Sequence, residues 1–149
     1  MPKKIDEAAA RAAFEGALAD YEQTFGTFFL ARLLGLEISY PDEETCAVEM
    51  EVKDFMFNPQ GTLHGGIIAT MLDISMGHLL QKTIGAGMTL EMKTQYLRPA
   101  RAGRVRAEGR FLKKGKSVNF LETRLFDAEG SLLAVANSTW QLLPQTPAA

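Results

Sequence analysis

The stretch NPQGTLHGGIIATMLDISMGHLL, residues 58–80, decides the fold. It opens with a turn-forming run, since Pro fixes φ and Asn and Gly adopt unusual backbone angles. An apolar segment follows, whose large side chains point in nearly every direction around a helix of 3.6 residues per turn. A helix that is apolar on all sides is a buried helix. The stretch therefore predicts one long helix in the centre of the core.

A single carboxylate, Asp73, interrupts this apolar helix. An isolated charge in such a place costs several kcal/mol unless it is paired, hydrated or neutralised. The residues three and four positions away share its face and are mostly small: Ala69, Thr70, Met76 and Gly77. Two interpretations remain open. Asp73 meets a ligand or a partner helix, or it is a structural residue satisfied by nearby hydroxyls such as those of Thr70 and Ser75.

Length and composition limit the classes of protein to consider. The 149 residues suffice for one domain with a stable core, and a formal net charge of -2 with a pI near 5.7 gives no indication of nucleic acid. The sequence shows neither an apolar run of about 18 residues nor the apolar centre of a signal peptide, so no membrane span is expected. The single cysteine, Cys46, is interpreted as a core residue, and the predicted location is the cytoplasm.

The spacing of apolar residues changes at Leu36. Before it, the pattern predicts a helix over Ile5–Leu18 and a second, short helix within residues 20–34. After it, apolar residues alternate and predict a strand that bends at Pro41-Asp42. Beyond the long helix, alternation predicts an antiparallel meander of four more strands. The fold class is therefore α+β, with an antiparallel sheet curled around one central helix and a helical N-terminal extension.

A family resemblance appears in the motif and its spacing. The residues in question are Asn58, Gly61, His64, Gly65, Gly66, Asp73 and Gly77, with comparable segments at 96–100 and 115–117. They resemble the signature of hotdog-fold acyl-CoA thioesterases, most closely the PaaI-like subfamily, named for phenylacetate degradation, of the 4-hydroxybenzoyl-CoA thioesterase superfamily. The resemblance implies a hotdog thioesterase domain over residues 36–143. The residue patterns on either side predict a helical extension over 1–35 and a disordered tail over 144–149.

The resemblance also implies roles for five residues. Asp73 would be the catalytic carboxylate, as nucleophile or as general base for water. The backbone N–H of Gly65 would bind the thioester carbonyl oxygen, while Asn58 would orient the water or the carbonyl. His64 would hold the loop and the carbonyl region, and Thr89 would position water. Strand alternation puts Thr89 opposite the face of its neighbours Leu90 and Met92, so its direction stays open.

The spacing of two of these residues predicts a dimer. Gly65 and Gly66 offer free N–H groups at the positive end of the helix dipole. Gly65 and Asp73 are separated by about 12 Å on one helix, at about 1.5 Å per residue. A donor and an attacking group must converge within about 3 Å of one carbon. Two antiparallel copies of the helix achieve this, so we expect a homodimer with a shared site, and a dimer of dimers as the larger assembly.

Candidate substrate-binding residues follow from the acyl-CoA that the resemblance implies. Of the 16 basic residues, eight lie between Arg98 and Lys116. Those at turns suit the CoA phosphates best: Arg98, Arg101, Lys113, Lys114 and Lys116. Gly66 is a further candidate at the helix start, and Phe57 is one of several aromatics that could line a pocket for an aryl or medium-chain acyl group. No cofactor is expected, because coenzyme A is part of the substrate, and His64 and His78 lack the spacing of a metal site.

Three functions remain open after this reasoning. The first is an acyl-CoA thioesterase, and the second a non-catalytic module that binds acyl-CoA or an acyl carrier. The third is a hotdog-fold dehydratase acting on a hydroxyacyl thioester. A binding module has no need of Asp73, and a dehydratase pairs a His with a carboxylate in a different arrangement. The residue pattern around serine does not support a Ser-His-Asp hydrolase.

Overall fold

Two helices precede the sheet in the computed structural model, which describes residues 3–145. Helix α1 (Glu7–Asp20) begins at Asp6, whose carboxylate accepts the Ala9 N–H. Helix α2 (Phe29–Leu34) packs on it and ends at Gly35 in the left-handed conformation. The segment between them, residues 21–28, is not helical: Tyr21 is extended at the end of α1, and Gly26 has a φ of 89°. The second helix is therefore shorter than the pattern suggested. Residues 146–149 of the predicted tail lie outside the described part.

Six antiparallel strands follow, and they form one sheet in the order β1-β2-β4-β5-β6-β3. Their bounds are β1 (Glu37–Asp42), β2 (Thr45–Glu51), β3 (Gly87–Tyr96), β4 (Arg104–Lys113), β5 (Val118–Asp127) and β6 (Leu132–Leu142). A short 3-10 turn (Asp54–Met56) and the long helix α3 (Gly65–Thr83) lie between β2 and β3. The predicted α+β fold, an antiparallel sheet around one long helix, is confirmed.

The core lies between α3 and the inner face of the sheet. The helix contributes large, fully buried side chains at Met71, Leu72, Met76, Leu79 and Leu80. Alternate residues of the strands meet them, among them Cys46, Val48, Met50, Val105, Leu121 and Leu125. Burying one such side chain contributes about 1.5–3 kcal/mol. The interpretation of Cys46 as a core residue is confirmed, since it is fully buried and reduced.

The predicted four-strand meander is wrong in one respect. Strands β4, β5 and β6 do form a meander, but β3 pairs with β6 at the far edge and not with β4. The link over residues 97–103 makes its backbone hydrogen bonds to Leu133, Leu63 and Val52 instead of closing a hairpin. The link thus crosses one end of the sheet, close to the start of α3. As a result, β3 is an edge strand beside the helix.

The backbone of the helix lies against the sheet at Gly109 in β4. A β-carbon added to Gly109 would lie 2.7 Å from the carbonyl oxygen of Ser75 in α3. The Ser75 hydroxyl lies 2.8 Å from that of Thr123 in β5, the strand next to β4. Glycine is required here because the helix backbone occupies the space of a side chain. These contacts fix the position of α3 on the sheet. No helix within residues 3–145 is long and apolar enough to cross a membrane.

We expect Gly109→Ala to lower the free energy of unfolding by about 1–3 kcal/mol, because overpacking forces backbone to move. Gly16→Ala is the matched control. Gly16 lies in α1 with no atom within 4 Å of an added β-carbon, so alanine should stabilise that helix by up to about 1 kcal/mol. Urea denaturation measures both midpoints. A Gly109→Ala midpoint equal to that of the wild type would contradict the close contact.

Candidate active site

The start of α3 is capped by the side chain of His64. Its Nδ1 accepts the backbone N–H of Gly66 at 2.8 Å. Because Nδ1 is the acceptor, the proton of the neutral ring lies on Nε2, and the side chain is exposed to solvent. A β-carbon on Gly66 would lie 3.1 Å from Nδ1, so glycine lets the ring fold back onto the helix. The expectation that the Gly66 N–H is free for a ligand is therefore wrong.

The N–H of Gly65 is different. Within residues 3–145 it has no hydrogen-bond acceptor. The hydroxyl of Tyr96 donates to the Gly65 carbonyl at 2.9 Å, and the Tyr96 ring lies against the Gly65 α-carbon. An unpaired N–H at a helix start, with the helix dipole behind it, attracts negative charge. This is the geometry that an oxyanion donor requires.

Asn58 organises the turn that leads to this helix. Its side-chain oxygen accepts the N–H groups of Gln60 and Thr62, and its amide nitrogen donates to the Thr62 hydroxyl at 2.9 Å. The turn brings Asn58 beside Gly65, where both line a groove of about 360 Å³ together with Tyr96 and Arg98. Asn58 is thus close to the free amide, although most of its hydrogen-bonding capacity serves the turn.

Asp73 lies half-buried on the open strip of α3. The hydroxyl of Thr89 donates to its Oδ1 at 2.7 Å. Burial raises the pKa of Asp73 above its ordinary value, and the hydrogen bond from Thr89 partly opposes this rise. The hydroxyls proposed as structural partners bond elsewhere, that of Thr70 to the Gly66 carbonyl and that of Ser75 to the Leu72 carbonyl. Their use as partners of Asp73 is therefore excluded here.

A β-bulge turns Thr89 toward the helix. Thr89 pairs with Trp140 across to β6, whereas Glu91 pairs with Thr139, so Leu90 is the extra residue. Directly opposed residues share a face of the sheet. Thr89 therefore faces inward with Trp140, and the alternation restarts after the bulge. Simple alternation had left the direction of Thr89 open, and the bulge decides it.

A cavity of about 350 Å³ opens beside Asp73. Aromatic side chains form much of its wall, namely Phe25, Phe28 and Trp140, and His78 and Gly77 line it from the helix. Phe57, predicted as a pocket residue, packs partly buried against the core and does not line this cavity. The sequence analysis did not identify Trp140 as a cavity residue. The one signal was a glycine, Gly77, within the apolar helix: a β-carbon at this position would lie 2.8 Å from the indole ring of Trp140.

The five basic candidates fall into two groups. Arg98 and Arg101 are exposed near the start of α3, the end of the helix at which Gly65 lies. Arg98 donates to the Leu132 carbonyl. The other group, Lys113, Lys114 and Lys116, lies at the β4–β5 hairpin, at the opposite end of the sheet. Lys114 is paired with Glu44 at 3.0 Å. One chain therefore does not bring the two groups together.

The remaining strand arginines belong to the outer face of the sheet. Arg104, Arg106 and Arg110 form ion pairs with glutamates there, as at 2.6 Å between Arg104 and Glu37. These arginines are therefore part of a solvated strand face. The described residues hold no cluster of three His, Cys, Asp or Glu side chains that could bind a metal ion.

Comparison with known proteins identifies the family of this chain. The family model described as "Thioesterase superfamily" matches residues 60–134. Human acyl-coenzyme A thioesterase 13 is 36% identical over 118 residues, which cover 74% of this chain and 83% of that protein. Among solved structures, a Bacillus halodurans protein crystallised with CoA matches with a TM-score of 0.84 at 22% identity, over 97% of both chains.

The PaaI protein of the Escherichia coli phenylacetic acid degradation operon has the same fold. Its TM-score is 0.78 at 21% identity, over 92% of this chain and 97% of that protein. The hotdog fold that the resemblance implied is confirmed, and so is the class of thioester hydrolases at the level of the family. The matched family model spans the turn at Asn58 only in part, but it includes the Gly65 amide, Asp73 and Thr89. The chain belongs to the thioesterase superfamily.

Proposed function

We propose that this protein is an acyl-CoA thioesterase whose active site is shared between two chains. The observation that carries the proposal is the position of two groups on one rigid helix. The free N–H of Gly65 lies at the first residue of α3, and the half-buried carboxylate of Asp73 lies eight residues later. Their axial separation of about 12 Å exceeds what one thioester carbon can bridge. A second copy of the helix, running antiparallel, removes the difficulty.

The exposed edge of the sheet supports this arrangement. Strand β3 is ten residues long and lies at one edge, with Met88 and Leu90 each about half-exposed: 51% and 53%. A long apolar edge strand pairs readily with another chain. The other edge, β1, has six residues and contains Pro41, which cannot donate to a ladder. Strand β3 is therefore the better candidate for the dimer interface.

The anchors on β3 specify a register for that pairing. Thr89 holds Asp73 near the start of the strand, and Tyr96 holds Gly65 at its end. With Leu90 bulged out of the pairing, an antiparallel pair of β3 strands with its twofold axis at Lys93 puts Thr89 of one chain opposite Tyr96 of the other. In this register the acid of one chain faces the free amide of the second chain. Two identical sites result, as twofold symmetry requires.

The chemistry follows from these two groups. The Asp73 carboxylate takes a proton from water while the water oxygen attacks the thioester carbon, or it attacks that carbon itself. Negative charge develops on the carbonyl oxygen, which accepts the Gly65 N–H of the other chain. The tetrahedral intermediate then collapses, the carbon–sulfur bond breaks, and the CoA thiolate leaves and takes up a proton. Where Asp73 is the nucleophile, water then hydrolyses the acyl-Asp73 anhydride, which releases the acid and restores the carboxylate. A pKa raised by burial makes Asp73 a better proton acceptor than an ordinary aspartate.

The two ends of the substrate have separate sites in this proposal. The aromatic cavity beside Asp73 suits an aryl or medium-chain acyl group. Arg98 and Arg101 at the Gly65 end, together with the lysines of the β4–β5 hairpin of the second chain, suit the CoA phosphates. The antiparallel dimer supplies both groups at one end, which one chain alone does not. A dimer of dimers and a cytoplasmic location complete the proposal.

A catalytic role for Asp73 separates this function from a binding module. A half-buried carboxylate destabilises the fold, and a protein that only binds acyl-CoA has no use for it. The dehydratase alternative needs a His that works together with the acid. His78 lines the same cavity as Asp73, but its Nε2 accepts the Gly26 N–H, and the Nδ1 of His64 caps α3. The thioesterase is therefore the function that these positions favour.

We expect Gly65→Pro to lower kcat by about 10²- to 10³-fold, because proline removes the oxyanion donor. Proline is tolerated at the first position of a helix, and His64 already has a φ of -62° and a ψ of 134°, which suit a residue before proline. Gly65→Ala is the matched control, since it adds a β-carbon beside Tyr96 but keeps the N–H. Steady-state hydrolysis of acyl-CoA measures both. Equal rates for the two variants would remove the Gly65 amide from the mechanism.

Mixed dimers test whether the site is shared. Asp73→Asn and Gly65→Pro homodimers should both be inactive, whereas their heterodimer has one complete site and regains about half of the wild-type activity. The crossed control is a heterodimer of a wild-type chain with a chain that carries both Asp73→Asn and Gly65→Pro. It should be inactive, because each of its shared sites lacks either the acid or the amide. Purification with two different tags isolates each heterodimer. The reverse pattern, with activity only in the crossed control, would show that each chain holds its own site.

The Thr89 hydrogen bond should be visible in the pH dependence. It lowers the pKa of Asp73, so Thr89→Val should raise that pKa further. Because the ionised carboxylate is the active form, activity falls as the pH drops through this pKa. The acid limb of kcat/KM should therefore move to higher pH in Thr89→Val and stay in place in Thr89→Ser. A limb unchanged by Thr89→Val would exclude Asp73 as the titrating group.

A further inference from the structure

His78 joins the helix to the N-terminal extension. Its Nε2 accepts the N–H of Gly26 at 2.9 Å, across 52 residues of sequence. The imidazole is buried, and burial lowers its pKa, so the ring is neutral and able to accept. The bond from Gly26 therefore occupies Nε2 and sets the orientation of the ring.

The segment that His78 holds is residues 21–28, which we call the aromatic loop. Phe25 meets the His78 ring edge-on, with centroids 5.0 Å apart, and Phe28 lies 6.1 Å away. Other hydrogen bonds of the loop are local, such as that between Glu22 and Thr27. Within the described residues, the bond from Gly26 is the one that ties this loop to α3. Gly26, at a φ of 89°, adopts a conformation that other residues rarely reach.

The aromatic loop forms the outer wall of the cavity beside Asp73. Phe25 and Phe28 line it from the loop, while His78, Gly77 and Trp140 line it from the helix and sheet. Phe25 is nevertheless 52% exposed, as expected for a side chain between cavity and solvent. A loop with little buried area and one long-range hydrogen bond opens at low cost. Loops of this kind close over many active sites.

We propose that His78 is a specificity-determining residue, which latches the aromatic loop over the acyl cavity and so limits the length of the acyl group. This inference rests on the proposed thioesterase function. At about 350 Å³ the cavity is at the small end of ligand pockets. An acyl group that fits inside leaves the loop closed. A longer one must displace Phe25 or Phe28 and break the bond to Gly26, which reduces its kcat/KM.

The test compares acyl-CoA substrates of increasing length, from acetyl to palmitoyl, in three variants. His78→Ala removes the latch, and we expect the ratio of kcat/KM for palmitoyl-CoA to that for butyryl-CoA to rise about tenfold, the effect of one hydrogen bond. His78→Gln offers a side-chain oxygen as acceptor and should restore the wild-type ratio. Leu18→Ala, in exposed α1 and outside the cavity, is the control for the extension and should leave the ratio unchanged.

Amide hydrogen exchange at Gly26 supplies a second readout that does not depend on catalysis. The amide should be protected in the wild type and in His78→Gln, and should exchange about tenfold faster in His78→Ala. An equal loss of activity on every acyl length, or an unchanged Gly26 exchange rate, would overturn the proposal. Wild-type protein that hydrolyses no acyl-CoA, but shows the expected exchange pattern, would refute the thioesterase function and leave the latch in place.

Discussion

The rigidity of helix α3 is the constraint on which the rest of the structure depends. Its backbone contacts the sheet at Gly109, and the hydroxyls of Ser75 and Thr123 join it to β5. Helix geometry then fixes the separation of the Gly65 amide and the Asp73 carboxylate at about 12 Å. No rearrangement of side chains can bring both to one carbon within a single chain. In the proposed function, association through the exposed β3 edge is therefore part of building the site.

The cost of a half-buried acid explains the composition of the helix around it. Large apolar residues cover most of α3. The strip that carries Asp73 has mostly small side chains and is open on one side. Thr89 supplies the only side-chain hydrogen bond to Asp73 within residues 3–145, and it leaves Oδ2 available. Burial without full pairing raises the pKa, which costs stability and favours proton transfer. In the proposed mechanism, stability and reactivity are therefore opposed at Asp73.

Local patterns in the sequence predicted most of the helices and strands, because the spacing of apolar residues shows which face of a helix or strand is buried. The long helix, the alternating strands and the candidate acid all followed from this. The position of β3 did not, since a seven-residue link can close a hairpin or cross the sheet with the same composition. Similarly, the inward direction of Thr89 depends on a bulge at Leu90 that alternation does not record. The contact between Gly26 and His78 spans 52 residues, beyond any local pattern.

The central claim is that each site takes its amide from one chain and its acid from another. A crystal structure with a CoA ketone, in which a methylene group prevents hydrolysis, tests this most directly. We predict that the ketone oxygen lies about 3 Å from the Gly65 nitrogen of one chain. The ketone carbon should lie within reach of the Asp73 carboxylate of the other chain, directly or through one water. A ketone bound by Gly65 and Asp73 of the same chain, or far from either, would contradict the account.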